Sequence, residues 1–386
     1  MSTSDVSGFG ELSTIQNVPV VQLDFVYGIN ANTTTTATAN SGSVTTISGT
    51  CRLSTSSATN GDAKVCSRAF LKYHHGQGLT ARFSAAFNYG YTNSRQLAGI
   101  GLPDETQGFF IGYKNAQFGI FQINTSETFI PMYNFNGAFN MNDIDTSKLN
   151  IYSITFQGGS GDVYFNVVNP LTGLFQNFHI IRYAGTVTSL NTNNPTYYLY
   201  WRIRNTGDNI DKYIYCGGGA LMNQGPYVFT SSQYGFYSAP AASVTGDRII
   251  FSLRCCSTLN GRAFYGQVKF KSLIIGIQCS STVIHGIKIY ENATPGTNAF
   301  TPISGSTSDN GVTITSGSSC VSYNTTSTTY TAGKLVFCSV SSASGVHQID
   351  MTKENLLFLP GFTYSFVALT GASAMVAIAM NWSEDF

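Results

Sequence analysis

The chain has 386 residues, a net charge of +1 and only 10% charged residues, where a soluble domain has about 25%. This excludes a polybasic nucleic-acid binder, because no excess of cations exists to neutralise phosphates, and it excludes a Lys/Glu-rich coiled coil. Aromatics at 13% exclude a disordered chain, and a surface of hydroxyls and amides suits packing against neighbours better than life as a dilute monomer.

Apolar residues fall in short runs of period two, separated by Gly, Asn, Ser and Thr, which is the strand signal. Residues 18–27 predict a first strand. Residues 31–60 contain 16 Ser or Thr and one charge, Arg52, and read as a loop-like arm or a weak polar hairpin outside the core. Strands follow at 79–89, 99–102, 108–113, 117–123, 150–156, 162–168, 174–182 and 196–205. Gly158, Gly159, Ser160 and Gly161 mark one turn. Asn169, Pro170 and Gly173 mark another, with a turn-initiating Asn-Pro and a closing Gly. Gly217, Gly218 and Gly219, with Asn223 to Pro226, punctuate the chain near residue 220.

A second series begins there: 248–254, 263–277, 283–290, 311–315, 334–340, 356–359, 363–369 and 374–382. A helical turn is predicted at 352–357. Residues 304–331 interrupt the series with 16 Ser or Thr. Regular short strands indicate antiparallel sandwiches with an apolar inner and a polar outer face. The predicted fold is all-β, with two tandem antiparallel β-sandwiches. The predicted organisation is an N-terminal strand and Ser/Thr-rich arm over 1–60, a first sandwich over 61–225 and a second over 226–386.

No basic and apolar leader follows Met1, and no apolar run is long enough for a membrane-spanning helix. The eight cysteines form no zinc-ligand spacing, and buried free thiols are favoured over disulfides.

No motif of nucleophilic or phosphate-binding chemistry stands in its proper context. Ser160 sits between two strands, where it reads as a turn. Asp104 and Glu105 are adjacent in a Gly-bounded loop, whereas glycoside cleavage needs carboxylates facing across a sugar. That loop, and the Asn140, Asn142, Asp143, Asp145 cluster, are oxygen-rich enough to suggest calcium, though both read better as polar loops. His74 and His75 point to opposite faces of an extended segment and chelate poorly. Tyr197, Tyr198, Tyr200 and Trp201 form a dense aromatic strand, which reads better as a well-packed strand of the sandwich; the alternative is that its outward half is a platform for sugars or proteins. Arg202 and Arg204 share one face. The candidate ligand or partner surface is therefore Asp104, Glu105, Tyr113, Tyr198, Tyr200 and Trp201, with no catalytic residue, cofactor or metal expected.

Several segments resemble a family of virion-associated proteins of giant double-stranded DNA viruses and some phages. They run from Phe9 through Val18 to Asn30, from Leu71 through Gly78 to Phe83, and from Gly99 to Gly119 (Gly-Ile-Gly, an acidic turn, then Gly-Phe-Phe-Ile-Gly-Tyr and Phe-Gly). They continue from Asp162 to Phe175, from His179 to Ala184, and from Asn194 to Gly207. The similarity covers roughly residues 8–225, and the middle portion also looks like a concanavalin or laminin-G type jelly roll. This chain is compact between Gly119 and Asn150, where such relatives often carry more sequence. The resemblance implies a non-enzymatic virion structural protein, such as a minor capsid, penton or fibre component. It would assemble in the host cytoplasm with copies of itself and other capsid proteins. The alternative is a receptor- or glycan-binding module on the particle. Neither nucleic acid nor a membrane is an expected partner.

Overall fold

The computed structural model describes residues 17–385, apart from 75, 195, 226–231, 240–242, 260–261, 264–266, 280–283, 304–318, 332, 342–343 and 355. The chain divides into two compact units, Met1–Val228 and Phe229–Phe386. Among the described residues both are all-β and antiparallel, with short 3₁₀ turns as the helical elements. No helix of the described residues is long and apolar enough to cross a membrane.

The first unit packs two eight-stranded sheets. One sheet runs in the order Phe175–Ile181, Val163–Val168, Asn150–Phe156, Leu79–Phe87, Tyr213–Gln224, Thr50–Ser54, Ser43–Ile47, and Asn17–Asp24 also pairs with Tyr213–Gln224. The other runs Ser126–Pro131, Gln117–Asn124, Gln107–Lys114, Ser94–Gly101, Thr196–Asn205, Asp62–Ser67, Thr34–Ala39, with Leu71–Lys72 beside Thr196–Asn205. Period-two alternation aims one set of side chains between the sheets. Tyr197, Leu199, Trp201 and Ile203 enter the core from one sheet, and Phe83, Tyr152, Ile154 and Phe165 from the other. Phe83 meets Trp201 edge to face at 6.3 Å between ring centres. Each such side chain contributes about 1.5–3 kcal/mol on burial, so the aromatic stock of the sequence is mostly core.

Two expectations are corrected here. Residues 31–60 are not an arm outside the core: Thr34–Ala39, Ser43–Ile47 and Thr50–Ser54 are strands of the two sheets, the last two paired as the hairpin that was the alternative, and Cys51 and Leu53 are fully buried. Thr35, Thr36, Thr38, Thr45 and Thr46 lie exposed on the edge strands Thr34–Ala39 and Ser43–Ile47. Gly217 to Gly219 do not end a domain either. They lie inside the 12-residue strand Tyr213–Gln224, at a register shift between Tyr215 and Gly218. A Cβ at Gly217 would come within 2.8 Å of Ser84 Oγ, and one at Gly219 within 2.8 Å of the Arg82 carbonyl oxygen. Close strand approach, not a turn, requires these glycines.

The second unit has a five-stranded sheet in the order Ser232–Ser238, Ala374–Asp385, Gln267–Cys279, Gly345–Asp350, with Leu357–Phe358 beside Gln267–Cys279. Its six-stranded sheet runs Thr301–Pro302, Val321–Asn324, Arg248–Cys255, Thr363–Thr370, His285–Glu291, Lys334–Ser341. Phe251, Phe270, Phe366 and Trp382 fill the core between them. The expected strand at 311–315 lies outside the described residues. The helical turn falls at Met351–Glu354 as a 3₁₀ turn.

Candidate functional site

The loop carrying Asp104 and Glu105 joins Ser94–Gly101 to Gln107–Lys114 and folds back over the outer face of its own sheet. On that face lie Leu97, Phe110, Phe121, Ile123, Cys66 and Tyr200, a small second apolar cluster backed by Phe129. The outer face was expected to be hydroxyls and amides; here it is aromatic and roofed by charge. Glu105 is the hub of the roof. Its carboxylate accepts from Arg95 at 2.5 Å, Arg202 at 2.8 Å and the Tyr200 hydroxyl at 2.5 Å, with Arg204 at 3.5 Å. Asp62 binds Arg202 and Arg204, and Glu127 joins Arg95 to Lys114, each at 2.8 Å.

Burial alone would raise the Glu105 carboxyl. The guanidinium groups of Arg95, Arg202 and Arg204 and the Tyr200 hydroxyl outweigh it and hold the group down at about 2. Glu105 adopts φ +60°, which costs a non-glycine residue about 1–2 kcal/mol. The ion pairs hold it there.

The six residues singled out from the sequence are thus brought together only in part. Glu105 and Tyr200 meet in the knot, closed to ligands. Trp201 is 0% exposed in the main core, where its indole N–H donates to the Ser84 carbonyl oxygen at 3.2 Å. Tyr198 is buried against Phe70. Tyr113 is buried on the core side, and its hydroxyl pairs with Thr146 Oγ1 at 2.8 Å. Asp104 is exposed, and its Oδ1 accepts from the backbone and hydroxyl of Thr106. Thr196–Asn205 is therefore the packed strand, and the alternative of an outward aromatic platform is not met. Alternation does carry Tyr198 and Tyr200 off the core face, but Phe70 and the 102–106 loop cover them. The second oxygen-rich loop caps itself likewise: Asp145 Oδ1 accepts from Ser147, and Asn140 Oδ1 from Asn142. His74 is half-buried, and His75 lies outside the described residues.

An open concavity of this unit lies elsewhere, where residues 131–142 face Ala116, Gln117 and Phe118 at the start of Gln117–Asn124. There the segment 132–149, with 3₁₀ turns at Met132–Asn134 and Met141–Asp143, closes one side of a cleft of about 530 Å³. That volume lies in the range of small-ligand sites, about 300–1,000 Å³. Phe118 and Met141 are buried in its floor, Tyr133 stands 77% exposed at its lip, and Gln117, Asn140 and Asn142 supply amides. No Asp, Glu, Lys, Arg or His lines it.

One wall of the cleft is pinned. Phe135 packs on Phe178 and His179 at 5.2 and 5.3 Å. Asn136 exchanges amide hydrogen bonds with Ile180, and its backbone N–H donates to His179 Nδ1 at 3.3 Å. Gly137 is required, because a Cβ there would meet the Phe178 backbone at 2.3 Å. Burial lowers His179 to about 4, so it is neutral at pH 7 and able to accept. Sequence reasoning missed this site. Its signal was the run Met132-Tyr-Asn-Phe-Asn136, aromatics alternating with amides between two strands.

No family model matches the chain, and no curated protein does. Among solved structures it is similar to lectin I-B4 from Griffonia simplicifolia, at 11% identity and a TM-score of 0.36 over 53% of this chain and 99% of that one. It is similar to basic winged bean lectin, solved with Tn-antigen, at 11% identity and 0.36 over 55% and 100%. It is also similar to the cellulose-induced protein Cip1, at 7% identity and 0.35 over 52% and 96%. The fold class itself rests on the sheets described above.

Proposed function

We propose that the first sandwich is a non-enzymatic carbohydrate-recognition module for uncharged glycans, carried on the particle of a large double-stranded DNA virus. The observation that carries the recognition reading is the lining of the 132–149 cleft: an exposed Tyr133, apolar floor side chains and amides, with no charged group. An aromatic face stacks on a sugar ring, and amides answer its hydroxyls. Glycoside cleavage needs a pair of carboxylates across the bond, and the lining supplies none. The virion setting comes from the sequence resemblance, and the low charge supports it.

The test is a glycan array probed with the full chain. Binding to neutral glycans, with no release of reducing ends from the bound sugars, is the expected result. Failure to bind any neutral glycan, or turnover, contradicts it.

A second reading is a subunit covered by its neighbours in the virion lattice. What favours it is the outer face of the other sheet. There Ser153 on Asn150–Phe156 faces Arg82 on one side and Asn166 on the other, and Asn177 bonds Asn166 at 3.1 Å. Mass spectrometry of purified particles, with the oligomeric state of the isolated chain, separates the two. A stable monomer absent from particles removes this one.

A further inference from the structure

All eight cysteines are free thiols in the structure; one pair stands directly opposite in an antiparallel ladder and a second lies just beyond the end of another. In the first unit Cys51 faces Cys216, both fully buried, with Cys216 Sγ 3.4 Å from the Cys51 carbonyl oxygen. In the second, Arg248–Cys255 pairs with Val321–Asn324 in a register that sets Cys255 against Val321. One step further along, Cys256 falls opposite Cys320, and its backbone N–H donates to the Cys320 carbonyl oxygen at 2.7 Å. The Cys320 thiol lies within hydrogen-bonding reach of both Cys255 and Cys256. Directly opposed residues in an antiparallel ladder have Cα atoms about 4.5–5.5 Å apart, and disulfides span about 4.4–6.8 Å. Bridging Cys256 to Cys320 therefore needs little backbone movement.

The pairs differ in access. Cys51, Cys216 and Cys255 are sealed in cores, whereas Cys256 is partly buried at the core's edge beside a buried Cys320. Glu384 lies behind them, 2% exposed. It accepts from the Cys320 backbone N–H at 3.0 Å, from Ser319 Oγ at 2.5 Å and from the Trp382 indole at 2.8 Å. This anchors the Cys320 end of the strand and fixes its thiol next to the accessible one.

We propose that Cys256 and Cys320 are a redox modification site that closes to a cross-strand disulfide when the folded protein meets a low-molecular-weight disulfide oxidant. The Cys256 thiolate attacks one sulfur of the oxidant, releases one small thiol and forms a mixed disulfide. The Cys320 thiolate then attacks Cys256 Sγ and displaces the second small thiol. Two protein thiols lose two protons and two electrons, and one small disulfide becomes two small thiols. The hydrogen bond with Cys320, burial and the nearby Glu384 charge push the Cys256 thiol up. The hydrogen bond with Cys255, burial and Glu384 push the Cys320 thiol up, against the opposing effect of its bond with Cys256. The exchange is accordingly slow at pH 7 and speeds up about tenfold per pH unit while the thiolate fraction is small. The site would remain open in a reducing cytosol and close outside it.

The experiment treats the full folded chain with oxidised glutathione at pH 8, quenches with acid, and maps alkylated and bridged peptides by mass spectrometry. The expected result is a Cys256–Cys320 bridge reversed by dithiothreitol, with Cys51 and Cys216 still reduced and with the exposed Cys338 and partly buried Cys279 modified, if at all, as glutathione mixed disulfides. A Cys320→Ser chain stops at glutathionylated Cys256, and a Cys255→Ser chain still forms the bridge. If Cys320→Ser does not fold, Cys255→Ser and the wild type carry the test. Cys256 and Cys320 both remaining alkylatable, a mixed disulfide on Cys256 beside reduced Cys320 in the wild type, or loss of the bridge in a folded Cys255→Ser chain would each overturn the proposal.

Discussion

Two features of the first sandwich use opposite chemistry. Over one sheet, the 102–106 loop closes a knot of carboxylates and guanidinium groups on an aromatic cluster. Beside the same sheet, segment 132–149 holds open a cleft with no charge in its lining. Charge in this chain is a fastening and neutrality marks the open surface. Lys212 follows the same rule. It is 0% exposed, and its ammonium donates to the Thr92 and Asn93 carbonyl oxygens, Asn205 Oδ1 and Asp208 Oδ2 at 2.8–3.1 Å. A sequence with few charges has placed many of them where they bind each other.

The contrast predicts a separation of effects. Glu105→Ala leaves Arg95, Arg202 and Arg204 without their shared carboxylate, and removing one partner of buried ion pairs costs about 3–5 kcal/mol. Urea unfolding should show that loss, while the folded fraction keeps its sugar affinity. Equal loss of binding and stability would break the comparison.

Acid sharpens it next. The Glu105 carboxyl sits below its unfolded value, so its stabilisation is complete above the ordinary carboxylate range, near pH 4.5. It falls away as pH drops through about 2. His179 is a base held at about 4, below its unfolded value of about 6.5. Its contribution is complete above pH 6.5 and declines as pH falls towards 4. In that window the cleft wall should loosen before the knot does. Hydrogen exchange at pH 7 and pH 5 should show protection falling at 135–137 and unchanged at 102–106. Tyr133→Ala is the converse: stability within about 0.5 kcal/mol of wild type, and neutral-sugar affinity down about tenfold, ~1.4 kcal/mol. Asp104→Asn, on an exposed capping carboxylate, should be the smallest effect, within about 0.5 kcal/mol by thermal melting.

Much of the fold is legible in period two. Thr196–Asn205 and Asn150–Phe156 match their predicted bounds, because both are dense in large apolar and aromatic residues. Strands were missed where alternation is hidden. Ser126–Pro131 is an edge strand with polar outward residues, and Gly217 to Gly219 resemble a linker unless the neighbouring backbone is visible. The site was less legible for a related reason. Alternation says that Tyr200 leaves the core face, but not that a loop 95 residues earlier in sequence folds back to cover it. It is equally silent on the 132–149 segment, whose 3₁₀ turns have no period of their own and are fixed by Phe178, His179 and Ile180 from a distant strand.

The most direct measurement is a crystal structure of the full chain with the neutral oligosaccharide that it binds best on an array. The account predicts a sugar ring stacked on Tyr133, with its hydroxyls on the amides of Gln117, Asn140 or Asn142. A sugar seated on the Ser153 and Asn166 face, or displacing the Glu105 knot, would contradict it.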